Sequence, residues 1–279
     1  MSYQISPLSE HTGAEVRGVD LSGPVDADTC AALNRAFAER SVLAVRGQKL
    51  TADQMLAAVE NFGEVFPQHN SRFALPDCPL IHYISNQDKY PDGTRYIPGG
   101  GYHTDHSNDT TPPKATVLLA IELPDKGGDT QYVNMHRAYE DLPAETKKRV
   151  DGLKGIHVYQ SKHSERKLLG LSADAKKKVP DAVHHPIVRT HPETGRKSLF
   201  INPIRIEGIE GMPESEAVTL LDELLAHATQ EKYQYRHRWQ PGDLVMWDNR
   251  CLLHKANGDY DHSQTRYLYR VMLKGDAPF

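Results

Sequence analysis

The sequence predicts a mainly β fold with added helices, arranged as an antiparallel sandwich or barrel. Three observations predict it. Nine short apolar runs follow one another from residue 79 to the end, turn signals such as "PDG", "KGGD", "PETG" and "QPGD" separate several of them, and helical periodicity is confined to three segments.

Taken in order, "DADTCAALNRAFAER" reads as a helix with Leu33 and Phe37 on one face, and the apolar run "SVLAVRG" after it reads as a buried strand. Thr51 and Gln54 in "TADQ" match a capping box, so a second helix starts there and carries Met55, Val59 and Phe62 inward. The strand series is then "PLIHYISN", "ATVLLAIEL", "TQYVNM", "GIHVYQS", "HPIVRTH", "SLFIN", "YQYRHRW", "DLVMWDN" and "RYLYRVMLKG". One helix, "PESEAVTLLDELLAHAT", interrupts it, with Leu220, Leu221, Leu224 and Ala228 spaced to pack on a sheet.

No internal repeat or low-complexity linker divides the 279 residues, so residues 1–279 are expected to form a single domain. A hydrophobic share of 38% supports a real core, and a formal charge of -4 carries no basic excess for nucleic acid or an anionic membrane. No run approaches the ~18 apolar residues of a membrane span. Cys30, Cys78 and Cys251 form neither a CxxC pair nor a disulfide framework, so a soluble protein of the reducing cytoplasm is expected. Among the fifteen histidines, His157, His184, His185 and His227 have no partner at ligand spacing and read as surface or packing residues.

The stretch "GGGYHTDHSND" concentrates metal-binding side chains. If Tyr102 to Asp105 is extended, His103 and Asp105 share a face about 7 Å apart at Cα, while His106 faces away. Nitrogen and carboxylate ligands suit a divalent transition metal, yet two ligands do not make a site. His254 in "WDNRCLLHKA", at a sheet rim, is the best third candidate. On the last strand Arg266 and Arg270 would point inward about 14 Å apart, with Leu268 between them. Unpaired buried charge is costly, so two inward guanidinium groups call for anions. The competing account of Arg270 pairs it with Asp248 in the turn before His254.

His103-x-Asp105, "GGDT" ending at Thr130, "WDNRCLLH" ending at His254, then Arg266 and Arg270, resembles the taurine dioxygenase family of iron(II)- and 2-oxoglutarate-dependent oxygenases. The family includes alkylsulfatases and 2,4-dichlorophenoxyacetate dioxygenase, and "GAEVRGVDLS" and "VRTHPETGRKSLFIN" extend the likeness over nearly the whole chain. The resemblance implies a double-stranded β-helix, or jelly roll, with Fe(II), 2-oxoglutarate and O2 as cofactor and cosubstrates. His103, Asp105 and His254 match the facial triad on iron, which leaves three adjacent coordination sites open. Thr130 and Arg266 match the pair on the distal carboxylate of 2-oxoglutarate, and Arg270 matches the arginine on the substrate's acidic group.

The residues matching His106 and Asn108 help shape the substrate pocket in the family. Taurine-using members grip the sulfonate with a histidine and a tyrosine three residues later. Here "EVFPQHNSRF" sets Gln68 or His69 at the histidine and offers no such tyrosine, which argues against taurine itself. The "QDKYPDGTRYIP" loop before Gly99 reads as a candidate lid. The resemblance thus implies hydroxylation of a C–H bond in a small carboxylate, sulfonate or sulfate ester, coupled to conversion of 2-oxoglutarate to succinate and CO2. Cleavage of a C–O or C–S bond can follow. It further implies a homo-oligomer, dimer or tetramer, without nucleic-acid or membrane partners. Two other classes share parts of the pattern: a zinc-type hydrolase or lyase, which has no use for Thr130 with Arg266, and a non-catalytic jelly-roll binding protein.

Overall fold

Apolar runs without polar alternation demand burial on both faces, and they become the centre of the larger sheet. The computed structural model describes residues 3–279 apart from 69, 70, 90–92, 94–97, 167, 169 and 172. The chain begins with β1 (Gln4–Pro7), β2 (Ala14–Arg17), α1 (Ala27–Arg40), β3 (Val42–Val45) and α2 (Ala52–Glu60). β4 (Ala74–Leu75), β5 (Cys78–Ser85), β6 (Ala115–Glu122) and β7 (Thr130–Asn134) follow. Next come α3 (Met135–Glu140), α4 (Ala144–Val150), β8 (Lys154–His157), α5 (Ala173–Lys178), β9 (Val183–Pro186), β10 (Val188–Thr190), β11 (Lys197–Leu199) and β12 (Ile206–Ile209). The chain ends with α6 (Glu214–Ala228), β13 (Gln234–His237), β14 (Leu244–Asp248), β15 (Leu252–Ala256) and β16 (Tyr267–Leu273).

The larger sheet has the order β1-β2-β3-β14-β6-β16-β5-β4, and smaller ones have the orders β13-β7-β15, β12-β8-β9 and β10-β11. Pairing is antiparallel except between β2 and β3. Leu118, Val245, Trp247 and Leu268 of the larger sheet share one buried cluster with Tyr132, Tyr235 and Leu252 of the β13-β7-β15 sheet. This facing pair of sheets agrees with the expected jelly roll.

The helices cover the outer faces. Asp26 caps α1 by accepting from the Thr29 backbone N–H at 2.9 Å, and Ser41, at φ 61°, ends it. The inner face of α1 buries Leu33 and Phe37 in the cluster that also holds Met55 and Val59 of α2. Full burial of each such side chain contributes about 1.5–3 kcal/mol. The Thr51–Gln54 capping box is formed as expected. Leu220, Leu221, Leu224 and Ala228 of α6 pack on Val133, Leu253 and the α3 residues Met135 and Ala138. No helix among the described residues is long and apolar enough to cross a membrane.

Two local expectations change. Tyr102 to Asp105 is not a strand: His103 forms an isolated bridge with His254, and a turn begins at Asp105. His106 then takes φ 46°, so strand alternation does not set its direction. At the other end β16 starts at Tyr267, leaving Arg266 just outside, and its register on β6 shifts between Tyr267 and Leu268.

Candidate metal centre

The bridge between His103 and His254 is closed by two backbone bonds, His103 N–H to His254 O at 2.9 Å and His254 N–H to His103 O at 2.7 Å. It brings two histidines 151 residues apart in sequence to ring centroids 4.2 Å apart. The turn after it folds Asp105 over both, with its Oδ1 3.8 Å from His103 Nε2 and its Oδ2 3.9 Å from His254 Nε2. One ligand atom from each of the three lies within 4.8 Å of the others. The extended segment expected from the sequence is absent, yet the three residues still converge, because the turn replaces strand alternation.

Protonation suits a metal. His103 Nδ1 lies 2.9 Å from Gly101 O, and a carbonyl can only accept, so Nδ1 carries the proton and Nε2 keeps its lone pair. Burial pushes His254 down to about 4 and holds His103 well below its ordinary value. Burial alone would raise the Asp105 carboxyl, but His254 and His103 beside it, with Arg270 behind, hold it well below the usual range. Neutral imidazoles and an ionised carboxylate are the forms that bind a metal.

Asp105 is held by a relay of buried groups. Thr116 Oγ1 donates to Asp105 Oδ2 at 2.6 Å and accepts from Asn249 Nδ2 at 2.9 Å. Asn249 Oδ1 in turn accepts from Trp247 Nε1 at 3.1 Å, and Thr104 Oγ1 donates to Asn249 O at 2.8 Å. The turn itself is braced from outside. His157 Nδ1 lies 3.0 Å from Ser107 Oγ, Asn202 Nδ2 donates to the same Oγ at 2.8 Å, and His185 Nε2 lies 2.8 Å from Asp109 O. Two histidines read from sequence as packing residues therefore support the segment that carries Asp105. His184 faces Glu210, and His227 bonds Ala138 O.

A second set, His136, His191 and Cys251, also brings candidate ligand atoms together. Its chemistry does not suit a metal. His191 Nδ1 accepts from the backbone of Glu193 and Thr194, so Nε2 holds the proton and donates to Asp248 Oδ2 at 3.0 Å. Burial also pushes the Cys251 thiol far above its ordinary value, against the thiolate a metal needs.

One cavity contains the first set and the residues expected to surround it: Gln68, His106, Asn108, Thr130, Arg266 and Arg270. His69 lies outside the described residues, as does much of the candidate lid. Arg266 Nε donates to Gly128 O at 2.9 Å, and Asn86 Oδ1 accepts from the Arg266 backbone N–H at 2.9 Å. Gly128, at φ 67°, is needed there, since a Cβ would meet Arg266 Cδ and Nε at 3.2 Å. Thr130 Oγ1 accepts from Trp239 Nε1 at 3.1 Å, which leaves its own hydrogen to donate. Arg270 Nη2 donates to Gln68 Oε1. The pairing of Arg270 with Asp248 is not formed: Asp248 accepts from Arg250 and His191 deep in the scaffold.

Outside the His103, Asp105 and His254 cluster, four residues of this lining carry a buried polar atom with no hydrogen-bond partner among the described residues: Gln68 Nε2, Asn108 Oδ1, Arg166 Nη1 and Arg270 Nε. Each such omission costs about 1–3 kcal/mol, so a concentration of them in one cavity marks a place built for a ligand. His82, Tyr159, Arg166 and Arg205 also line it and were not singled out from sequence. They sit in strands or irregular segments whose residue pattern carries no functional signal.

Comparison with known proteins agrees with this geometry. Residues 4–272 match the family described as taurine catabolism dioxygenase TauD, TfdA family. An alpha-ketoglutarate-dependent 2,4-dichlorophenoxyacetate dioxygenase of Cupriavidus pinatubonensis is 36% identical over 290 aligned residues, covering 99% of each chain. An alpha-ketoglutarate-dependent sulfate ester dioxygenase of Pseudomonas putida is 30% identical, covering 100% of this chain and 91% of the relative. Among solved structures, a taurine dioxygenase from Burkholderia xenovorans superposes with a TM-score of 0.84 at 34% identity, covering 100% of this chain and 93% of the other. The crystal structure of AAD-2 in complex with Mn(II) and N-oxalylglycine gives 0.83 at 29% identity, covering 100% and 99%. With sequence match, architecture and the His-Asp-His cluster in agreement, this chain belongs to the taurine catabolism dioxygenase TauD, TfdA family.

Proposed function

We propose that the protein hydroxylates a C–H bond of a small organic acid, a carboxylate, sulfonate or sulfate ester, while 2-oxoglutarate is decarboxylated to succinate and CO2. The family makes it an Fe(II)- and 2-oxoglutarate-dependent dioxygenase. The observation that carries the reading is one cavity combining the His103, Asp105 and His254 cluster with Thr130, Arg266 and Arg270. The named relatives act on 2,4-dichlorophenoxyacetate and sulfate esters, which share an anionic group on an organic body.

On this reading His103, Asp105 and His254 hold the iron, and the donor set fits it, with one free imidazole nitrogen fixed by tautomer and a carboxylate kept ionised. When bound, iron supplies the activation of O2 by which one oxygen atom enters the substrate and the other enters succinate. Arg266, fixed through Nε by Gly128 O, turns its remaining donors to the distal carboxylate of 2-oxoglutarate, and Thr130 donates beside it. Arg270, steadied by Gln68, receives the acid of the primary substrate, with His106 and Asn108 lining its place. Phe73, Tyr83, Ile84, Leu118 and Ile204 give the organic body an apolar wall and exclude water.

The shared core between the two facing sheets supports one domain over residues 1–279. The free thiols of Cys30, Cys78 and Cys251 support work in a reducing cytoplasm. A homo-oligomer, dimer or tetramer, completes the reading on family grounds. The test is oxygen uptake and succinate formation with iron, 2-oxoglutarate and a panel of phenoxy acids, sulfonates, sulfate esters and amino-acid-derived acids. Stimulation by at least one anionic member supports it. Stimulation only by the uncharged methyl esters or amides of the same acids, run beside them, contradicts it.

A further inference from the structure

The charges lining the cavity do not balance. Among the described residues Arg166, Arg205, Arg266 and Arg270 face Asp88 and Asp105, an excess of two positive charges. None of the four arginines makes an ion pair with a carboxylate among the described residues. A divalent metal and the 2-oxoglutarate dianion cancel one another, so their arrival leaves the excess in place. Arg266 is occupied by that dianion in the reading above, and Arg270 takes one acidic group. Arg166 and Arg205 remain.

Both line the same cavity, Arg166 from the segment after β8 and Arg205 from just before β12. Among the described residues the hydrogen bonds that hold them come from uncharged groups, at the backbone carbonyl of Arg166 and at the side chain of Arg205. Gln160 Nε2 and Ser164 Oγ donate to Arg166 O at 3.1 and 2.9 Å, and Gln160 Oε1 accepts from Leu168 N–H at 2.7 Å, which closes the loop around Arg166. Arg166 Nη1 is buried with no partner among the described residues. Arg205 Nη1 donates to Tyr159 O at 2.8 Å, and its guanidinium carbon sits 5.1 Å from the Tyr159 ring centroid. Burial lowers Arg205 to about 10, opposed by Tyr159 and the Asp105 carboxylate and reinforced by the charge of Arg166. A buried guanidinium and a second whose Nη1 is buried without a partner, neither in an ion pair among the described residues, are stabilised by an anion placed against them.

We propose that Arg166 and Arg205 form a second anion subsite, so that the primary substrate carries two acidic groups, one for Arg270 and one for this pair. The inference rests on the acidic-substrate reading and narrows it to diacids. A substrate dianion removes the excess of two positive charges that a monoacid would leave half compensated.

The test is anaerobic calorimetric titration of the enzyme loaded with Fe(II) and 2-oxoglutarate. The ligands are phenoxyacetate, a monoanion, and its 2-, 3- and 4-carboxy derivatives, dianions on the same frame. The wild type should bind at least one dianion about tenfold more tightly than phenoxyacetate, the worth of one charge-assisted hydrogen bond. In Arg166→Gln that ratio should fall towards one, and Arg166→Lys should restore part of it. Arg166 sits in a partly exposed loop, and a ratio of two affinities is insensitive to general damage. Equal or weaker binding of every dianion in the wild type overturns the second subsite while leaving the acidic-substrate reading standing, as does an unchanged ratio in Arg166→Gln. If none of the four acids binds, the second subsite is overturned, and the acidic-substrate reading falls with it only if no anionic member of the wider panel stimulates oxygen uptake either.

Discussion

Replacing Thr116 with Val tests whether Asp105, the carboxylate proposed to bind the metal, is positioned from behind. The side chain is fully buried, and Val keeps its shape while removing the hydroxyl. Two bonds disappear: the 2.6 Å donation to Asp105 Oδ2 and the 2.9 Å bond accepted from Asn249 Nδ2. A hydrogen bond to a charged group contributes about 1.5–3 kcal/mol, and removing the partner of a metal ligand typically lowers metal affinity about 10–100-fold. Asn249 Nδ2 is then left buried without an acceptor, which costs the apoprotein a further ~1–3 kcal/mol. Thr116→Val should therefore bind Fe(II), or Mn(II) as a redox-stable substitute, about 10–100-fold more weakly in an anaerobic titration. Its urea midpoint should also fall. Thr116→Ser restores the hydroxyl and should recover most of the metal affinity. Metal binding by Thr116→Val within twofold of wild type would refute the positioning argument, whatever happened to stability.

Three other outcomes follow from the same geometry. Arg266→Lys loses the forked donor set, so the apparent Kd for 2-oxoglutarate in the metal-loaded enzyme should rise at least about tenfold, read by calorimetry. Gly128→Ala forces a Cβ to 3.2 Å from Arg266 Cδ at a φ of 67°, so it should weaken 2-oxoglutarate binding while leaving metal affinity near wild type. His157 is held neutral in the fold, its pKa lowered to about 3 from 6.5 first by burial and then by His185. Because the unfolded chain takes up the proton and the native one does not, stability falls as pH drops below about 6.5, by about 2 kcal/mol at pH 5. In His157→Phe the difference between urea unfolding at pH 7 and pH 5 should shrink by roughly that amount.

The features legible in the sequence are those that depend on residue type and coarse spacing. Apolar runs such as "ATVLLAIEL" and "DLVMW" can only be central strands, and they became β6 and β14. The His103-x-Asp105 pair was readable although its assumed strand was not, since a turn at Asp105 and a left-handed His106 achieve the convergence that alternation was expected to supply. Short helices such as α3 and α4 carry too few turns for periodicity to register. The relay from Trp247 through Asn249 and Thr116 to Asp105 joins residues up to 133 positions apart through ordinary polar side chains, which no local pattern marks. Arg166 and Arg205 were hidden for a related reason. They stand in irregular segments where an arginine is usually solvated, and only their place in the cavity lining, without an ion pair among the described residues, marks them.

The central claim is that His103, Asp105 and His254 act together to hold one iron for 2-oxoglutarate turnover. Its most direct measurement is bound iron per chain and iron-dependent succinate formation in the wild type and in His254→Ala, with far-UV circular dichroism to follow the fold. The account predicts that the variant keeps its spectrum, since His254 contributes only one side chain at a cavity wall, and loses both iron and succinate formation. A folded His254→Ala that still made succinate from 2-oxoglutarate in an iron-dependent reaction at a rate near wild type would contradict it.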